Sequence, residues 1–82
     1  MYQDIEEPID VIAVFEKSRM RPLRFKWKDR VYRVSQVTGM WCSEVGRCRY
    51  RHFAVVDDAS NFFELSFDER DTAWLLTKIS AE

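Results

Sequence analysis

Two thiols and an imidazole fall in one short stretch, Cys42-x5-Cys48-x3-His52. Thiolate and imidazole are zinc ligands, and the loop around Gly39 and Gly46 would have to fold back to bring the three together. The spacing is not the C-x2–4-C of structural zinc sites, and a fourth ligand would require Asp57 or Asp58, so no metal and no other cofactor is expected. The same residues are the ingredients of a Cys–His nucleophile. His52 is the sole histidine, and a four-residue offset supplies neither a lowered thiol pKa nor an orienting third group. The carboxylates of Asp57, Asp58, Glu64, Asp68, Glu69 and Asp71 gather at turn-like sequences, where Asp serves the backbone. No glycine-rich phosphate loop, nucleophile elbow or helix-borne metal motif is present. The chain is therefore expected to be non-enzymatic, with no small-molecule substrate.

Charge offers a different chemistry. Residues 1–16 carry five acidic groups and no basic one, residues 17–51 eleven basic against two acidic, and residues 52–82 two basic against seven acidic. The formal total of −1 hides a strongly positive middle. Such a field attracts anionic partners. Arg24, Lys26, Lys28, Arg33, Arg49 and Arg51, interleaved with Tyr50, His52 or Trp41, would suit nucleic acid through phosphate neutralisation and base stacking. The competing reading is structural: strands carry Lys and Arg to block edge-to-edge aggregation, with Glu16, Glu64 and Asp10 as cross-strand acids. Trp41 beside Cys42, with Tyr50, is the candidate anchor for a protein partner, because interface hot spots are enriched in Trp, Tyr and Arg.

These residues must be held by something dense. Eighty-two residues allow one domain, 1–82, whose small core needs large side chains, and six Phe, three Tyr and three Trp supply them. No apolar run approaches the ~20 residues that span a bilayer. The first residues lack the cationic and apolar regions of an export signal, so a cytoplasmic setting with reduced thiols is expected.

The apolar period is nearer two than three and a half. Leu23, Phe25 and Trp27 alternate with Arg24, Lys26 and Lys28, which predicts a half-buried strand. A first strand is expected over 9–16, ended by the segment 17–22. A third covers 31–37 after a tight turn at 28–30, and Val37 falls out of phase, which suggests a bulge near Ser35-Gln36 or a strand end there. Residues 38–46 read as the longest irregular piece, followed by a strand over 47–56, a polar turn at 57–61 and a strand over 62–67. The segment 72–79 fits a strand, with Trp74 and Leu76 on one side, better than a helix capped by Asp71 or Thr72. Six short segments with turns between them predict an all-β fold, an antiparallel meander curled into a small barrel or sandwich. Apolar residues on both faces of 49–56 and 62–67 need a second cover, which makes a homodimer an expectation.

The order Pro22-x-x-Phe25-x-Trp27-x-x-Arg30-x-Tyr32-x-Val34-x-x-Val37, then Trp41, His52-Phe53-Ala54-Val55, Phe63-Glu64-Leu65-x-x-Asp68 and Trp74-Leu75-Leu76, resembles a group of small bacterial β domains of unknown function. The resemblance implies a compact antiparallel β domain and a loose association with translesion-type DNA polymerase systems. His52 stands where that group usually has Tyr, and Asp29 where its tight turn has Gly.

The expected function is a binding or accessory module acting through protein contact or self-association. The alternative is a nucleic-acid-binding accessory domain in DNA repair that uses a basic and aromatic sheet face.

Overall fold

The computed structural model describes residues 2–17 and 19–80. Six strands follow one another: β1 (Tyr2–Glu16), β2 (Arg19–Trp27), β3 (Arg30–Val45), β4 (Cys48–Asp57), β5 (Phe62–Asp68) and β6 (Ala73–Ser80). Every neighbouring pair is antiparallel, and β1 also pairs with β6, so the meander closes into a ring. The strand expected over 72–79 is present as β6, Ala73–Ser80.

The ring is made of two sheets that share β1 and β3. The carboxyl half of β1 pairs with β2, from Asp10 opposite Lys26 to Glu16 opposite Arg19, and its amino half pairs with β6, from Tyr2 opposite Ser80 to Ile9 opposite Trp74. Similarly, β3 meets β2 only over Arg30–Arg33, and it pairs with β4 from Val34 to Val45. Beyond Arg33 the strands β2 and β3 part, which leaves a seam between them.

The inward rows follow from alternation interrupted by bulges. Ile9, Met20, Pro22, Phe25, Phe53, Val55, Phe63, Leu65 and Leu76 are buried. Phe25 stacks on Tyr32 at 5.1 Å and meets Phe63 edge-on at the same distance, the offset and T-shaped geometries that aromatic rings prefer. Phe67 and Phe53 pack around Trp74. The expected bulge near Ser35-Gln36 is present, as a shift in the β3–β4 register between Val34 and Gln36.

Four expectations need correction. Leu23 does not share the inward row of Phe25 and Trp27. It is 37% exposed while Pro22 is buried, because β1 steps from Ile12 opposite Arg24 to Ala13 opposite Pro22 and leaves Leu23 as the extra residue of a bulge. Residues 38–46 are not an irregular piece, since after a register shift at Thr38 β3 pairs with β4 without interruption from Gly39 to Val45, and only Gly46 lies in the turn. The first strand begins at Tyr2 rather than Ile9, because pairing with β6 holds its acidic start extended despite a kink at Glu6 (φ 58°). The break at 17–22 is shorter than expected, since β2 is already extended at Arg19; Ser18 lies outside the described residues.

Turn chemistry fixes the connections. Lys28 and Asp29 are both left-handed (φ 51° and 62°) between the paired Trp27 and Arg30, the backbone of a two-residue hairpin with inverted twist. Asp tolerates the left-handed region better than most residues, which suits Asp29 to this turn. Gly46 (φ 61°) turns the β3–β4 hairpin between Val45 and Cys48. Asp57 shapes the β4–β5 turn, its Oδ1 accepting from the backbone N–H of Ala59 at 3.0 Å and of Asn61 at 2.8 Å.

Candidate functional site

The β3–β4 hairpin carries the residues that sequence reasoning singled out for chemistry, and the register sorts them onto two faces. Trp41 lies opposite His52 and Ser43 opposite Tyr50, so these four share the outer face with Cys48, whose partner is Val45. Cys42 lies opposite Arg51 and Met40 opposite Phe53, which places Cys42 on the other face. The three candidate zinc ligands are thus not assembled into one site. Cys42 and His52 point to opposite sides, and Cys48 is four strand residues, about 13 Å, from His52. Both thiols are free.

His52 is instead clamped. Its Nε2 lies 2.7 Å from Ser43 Oγ and its Nδ1 2.7 Å from Ser66 Oγ. A neutral imidazole donates from one nitrogen and accepts at the other, and a serine hydroxyl does either, so both contacts are satisfied in either tautomer. Ser66 sits directly across from His52 on β5 and is buried. Trp41 stacks on the imidazole, with centroids 5.3 Å apart and planes 15° from each other. Three strands therefore hold a solvent-facing platform of Trp41, His52 and Tyr50. The serines escaped sequence reasoning because their meeting with His52 depends on the alignment of β3, β4 and β5. Tyr50 ends the row, and its phenol is pushed above its ordinary value by the Cys48 thiol beside it, through hydrogen bond and charge, then by burial and by Asp68 and Asp71.

The six basic candidates divide into separate groups. Arg24 and Arg33 are directly opposed on β2 and β3, and Lys26 lies between Val31 and Asp10. With Ile12 opposite Arg24, these residues form an outer face of mixed cations and exposed aliphatics. Lys28 sits in the turn with its ammonium 4.9 Å from the centre of the Trp27 ring. Among the described residues, none of these four cations lies within salt-bridge distance of a carboxylate. Arg49 and Arg51 belong elsewhere. They occupy the Phe53 row of β4 and share one carboxylate, Arg51 Nε at 2.8 Å and Arg49 Nε at 3.7 Å from Glu69 Oε2. The positive block is thus partly neutralised at the hairpin and open on the β1–β2–β3 face. Of the expected acidic partners, Asp10 stands opposite Lys26 without an ion pair between them and Glu16 meets Arg21 at 3.4 Å, whereas Glu64 lies away from the positive block, opposite Ala54 and Lys78, and accepts from Thr77 Oγ1 at 2.7 Å.

The seam between β2 and β3 opens beneath the hairpin. It forms a hollow of about 550 Å³ whose lining includes Met20, Val37, Met40 and Arg21, and it continues past Met20 and Met40 toward Cys42, Arg49 and Arg51. Alternation alone did not predict this cleft, because the parting of β2 and β3 is a property of the paired sheets.

Among the described residues no helix is long and apolar enough to cross a membrane. No curated protein and no solved structure matches the chain. The profile of one family, Domain of unknown function (DUF6504), matches residues 1–81, and the chain belongs to that family.

Proposed function

We propose that this chain is a non-enzymatic binding or accessory module of the cytoplasm that works through protein contact, with the β3–β4 hairpin as its contact element and Trp41 and Tyr50 as anchors. The observation that carries this reading is the clamped platform. Trp41 is 44% exposed yet held flat against a histidine that two serines fix. An exposed aromatic already ordered before binding loses little rotamer freedom when a partner covers it. The reading without catalysis draws on the dispersal of the thiols, which leaves no Cys–His pair at His52.

A photo-crosslinking residue placed at Tyr50 in cells tests the reading. Discrete protein adducts are expected there and not when the same group replaces Lys26 on the opposite outer face. Equal labelling at both positions, or none, overturns it.

The second reading, a nucleic-acid contact in DNA repair alongside translesion-type polymerases, draws on Arg24, Lys26 and Arg33, which are exposed and, among the described residues, within salt-bridge distance of no carboxylate. It predicts oligonucleotide affinity that falls steeply with salt and that Arg24→Glu weakens, with Arg49→Glu and Arg51→Glu acting less. Salt-independent or absent binding counts against it.

A further inference from the structure

We propose that the partner of the hairpin is a second copy of this chain, added edge to edge along β3 in an antiparallel ladder whose two-fold axis passes at Ser43. The inference rests on the reading of the hairpin as a protein-contact element and names its occupant.

Among the described residues, β3 from Val34 onward has a hydrogen-bonded neighbour on the β4 side only, because the β2–β3 ladder ends at Arg24 opposite Arg33. Its other edge presents unpaired backbone groups. Natural edges are guarded by charge, proline, bulges or short length. Register shifts after Val34 and after Val37 disrupt the first part of this edge, whereas Gly39–Val45 pairs with β4 without interruption. That regular stretch has no proline, and its one charged residue is Glu44. It is the unguarded part of the strand.

The side chains on it are self-complementary. On the outer face Trp41 and Val45 flank Ser43, and they are 44% and 67% exposed. Antiparallel pairing about Ser43 sets Trp41 of each copy against Val45 of the other, a cross-strand contact of aromatic and β-branched residues of the favourable kind. Glu44 then meets Cys42 of the second copy, so no like charges are opposed along the ladder. The same patch serves both copies, as two-fold symmetry requires. Tyr50, opposite Ser43 within each chain, flanks the axis on both sides. A ladder this short covers little beside the roughly 1,200–2,000 Å² of stable interfaces, so the dimer is expected to form reversibly at submillimolar concentration.

Single-cysteine variants test the register. In a Cys42→Ser, Cys48→Ser background, Ser43→Cys places two thiols across the axis, within the Cα separation that a disulfide accepts. Mild oxidation should yield a covalent dimer for Ser43→Cys and little for Val45→Cys, whose counterpart is Trp41. In the unmodified protein, sedimentation should give a mass approaching twice 9.9 kDa as concentration rises, with amide exchange slowing across Trp41–Val45. Val45→Lys should return it to the monomer. A monomer at every concentration, or equal crosslinking at positions 43 and 45, overturns the proposal. If the Tyr50 photo-adduct is then a different protein, the contact reading stands while the second copy is excluded; if Tyr50 gives no adduct, both fall.

Discussion

Trp41 lies nearly parallel to His52 at directly opposed positions of β3 and β4, their ring centroids 5.3 Å apart. This pairing sets the order of the hairpin's outer face, because the imidazole beneath the indole is fixed from both sides by hydroxyls. Replacing His52 with Ala should cost about 1–3 kcal/mol in a urea melt, since it strands the buried Ser66 hydroxyl. The double variant with Ser66→Ala should recover part of that loss, and simple additivity of the two would show that the contact is not coupled.

The phase of β2 gives a contrast between an exposed leucine on β2 and a core leucine on β6. Leu76→Ala removes a fully buried side chain and should destabilise by about 2–5 kcal/mol. Leu23→Ala, at the bulge, should stay within about 0.5 kcal/mol, as exposed substitutions do. A large loss at Leu23 in thermal or denaturant unfolding would return it to the inward row.

Asp57 organises its turn from a buried position, accepting from two backbone amides and, through Oδ2, from the Asn61 side chain at 3.2 Å. Asp57→Ala should therefore cost about 1–3 kcal/mol and speed amide exchange at Ala59 and Asn61. Unchanged exchange at both amides would remove the turn from its role.

Tyr50 should titrate above the usual tyrosine range, with Cys48 the leading cause. The folded chain then keeps a proton that the unfolded chain releases, so this contribution to stability is level below the ordinary tyrosine pKa of about 10 and is lost as pH rises through the raised value. Phenolate absorbance should show Tyr50 titrating late, and Cys48→Ser should bring that titration to lower pH.

Much of the fold was legible because alternation is a local property. The six strands and the bulge after Val34 follow from residues read in order along the chain. Three kinds of feature were not. Leu23 has the parity of Phe25, and one extra residue in the β1–β2 ladder, invisible to periodicity, moves it to the surface. Residues 38–46 are rich in small and polar side chains and lack a strand's usual signature; they are extended because β4 supplies their hydrogen bonds. The clamp on His52 and the sharing of Glu69 by Arg49 and Arg51 depend on which residues stand across from one another on adjacent strands. That register is set by turns and bulges together.

The closure of β1 on β6 also has a consequence in time. Tyr2 faces Ser80, Glu7 faces Leu76 and Ile9 faces Trp74, contacts that join opposite ends of the sequence. Each such contact closes nearly the whole chain as a loop, and topologies dominated by distant pairings fold slowly, in milliseconds to seconds. During synthesis the four hairpins from β2 to β6 can zip in turn as each emerges. The amino half of β1 must wait, unpaired and acidic, until the last strand leaves the ribosome. Its negative charge then keeps that waiting strand dissolved rather than sticky.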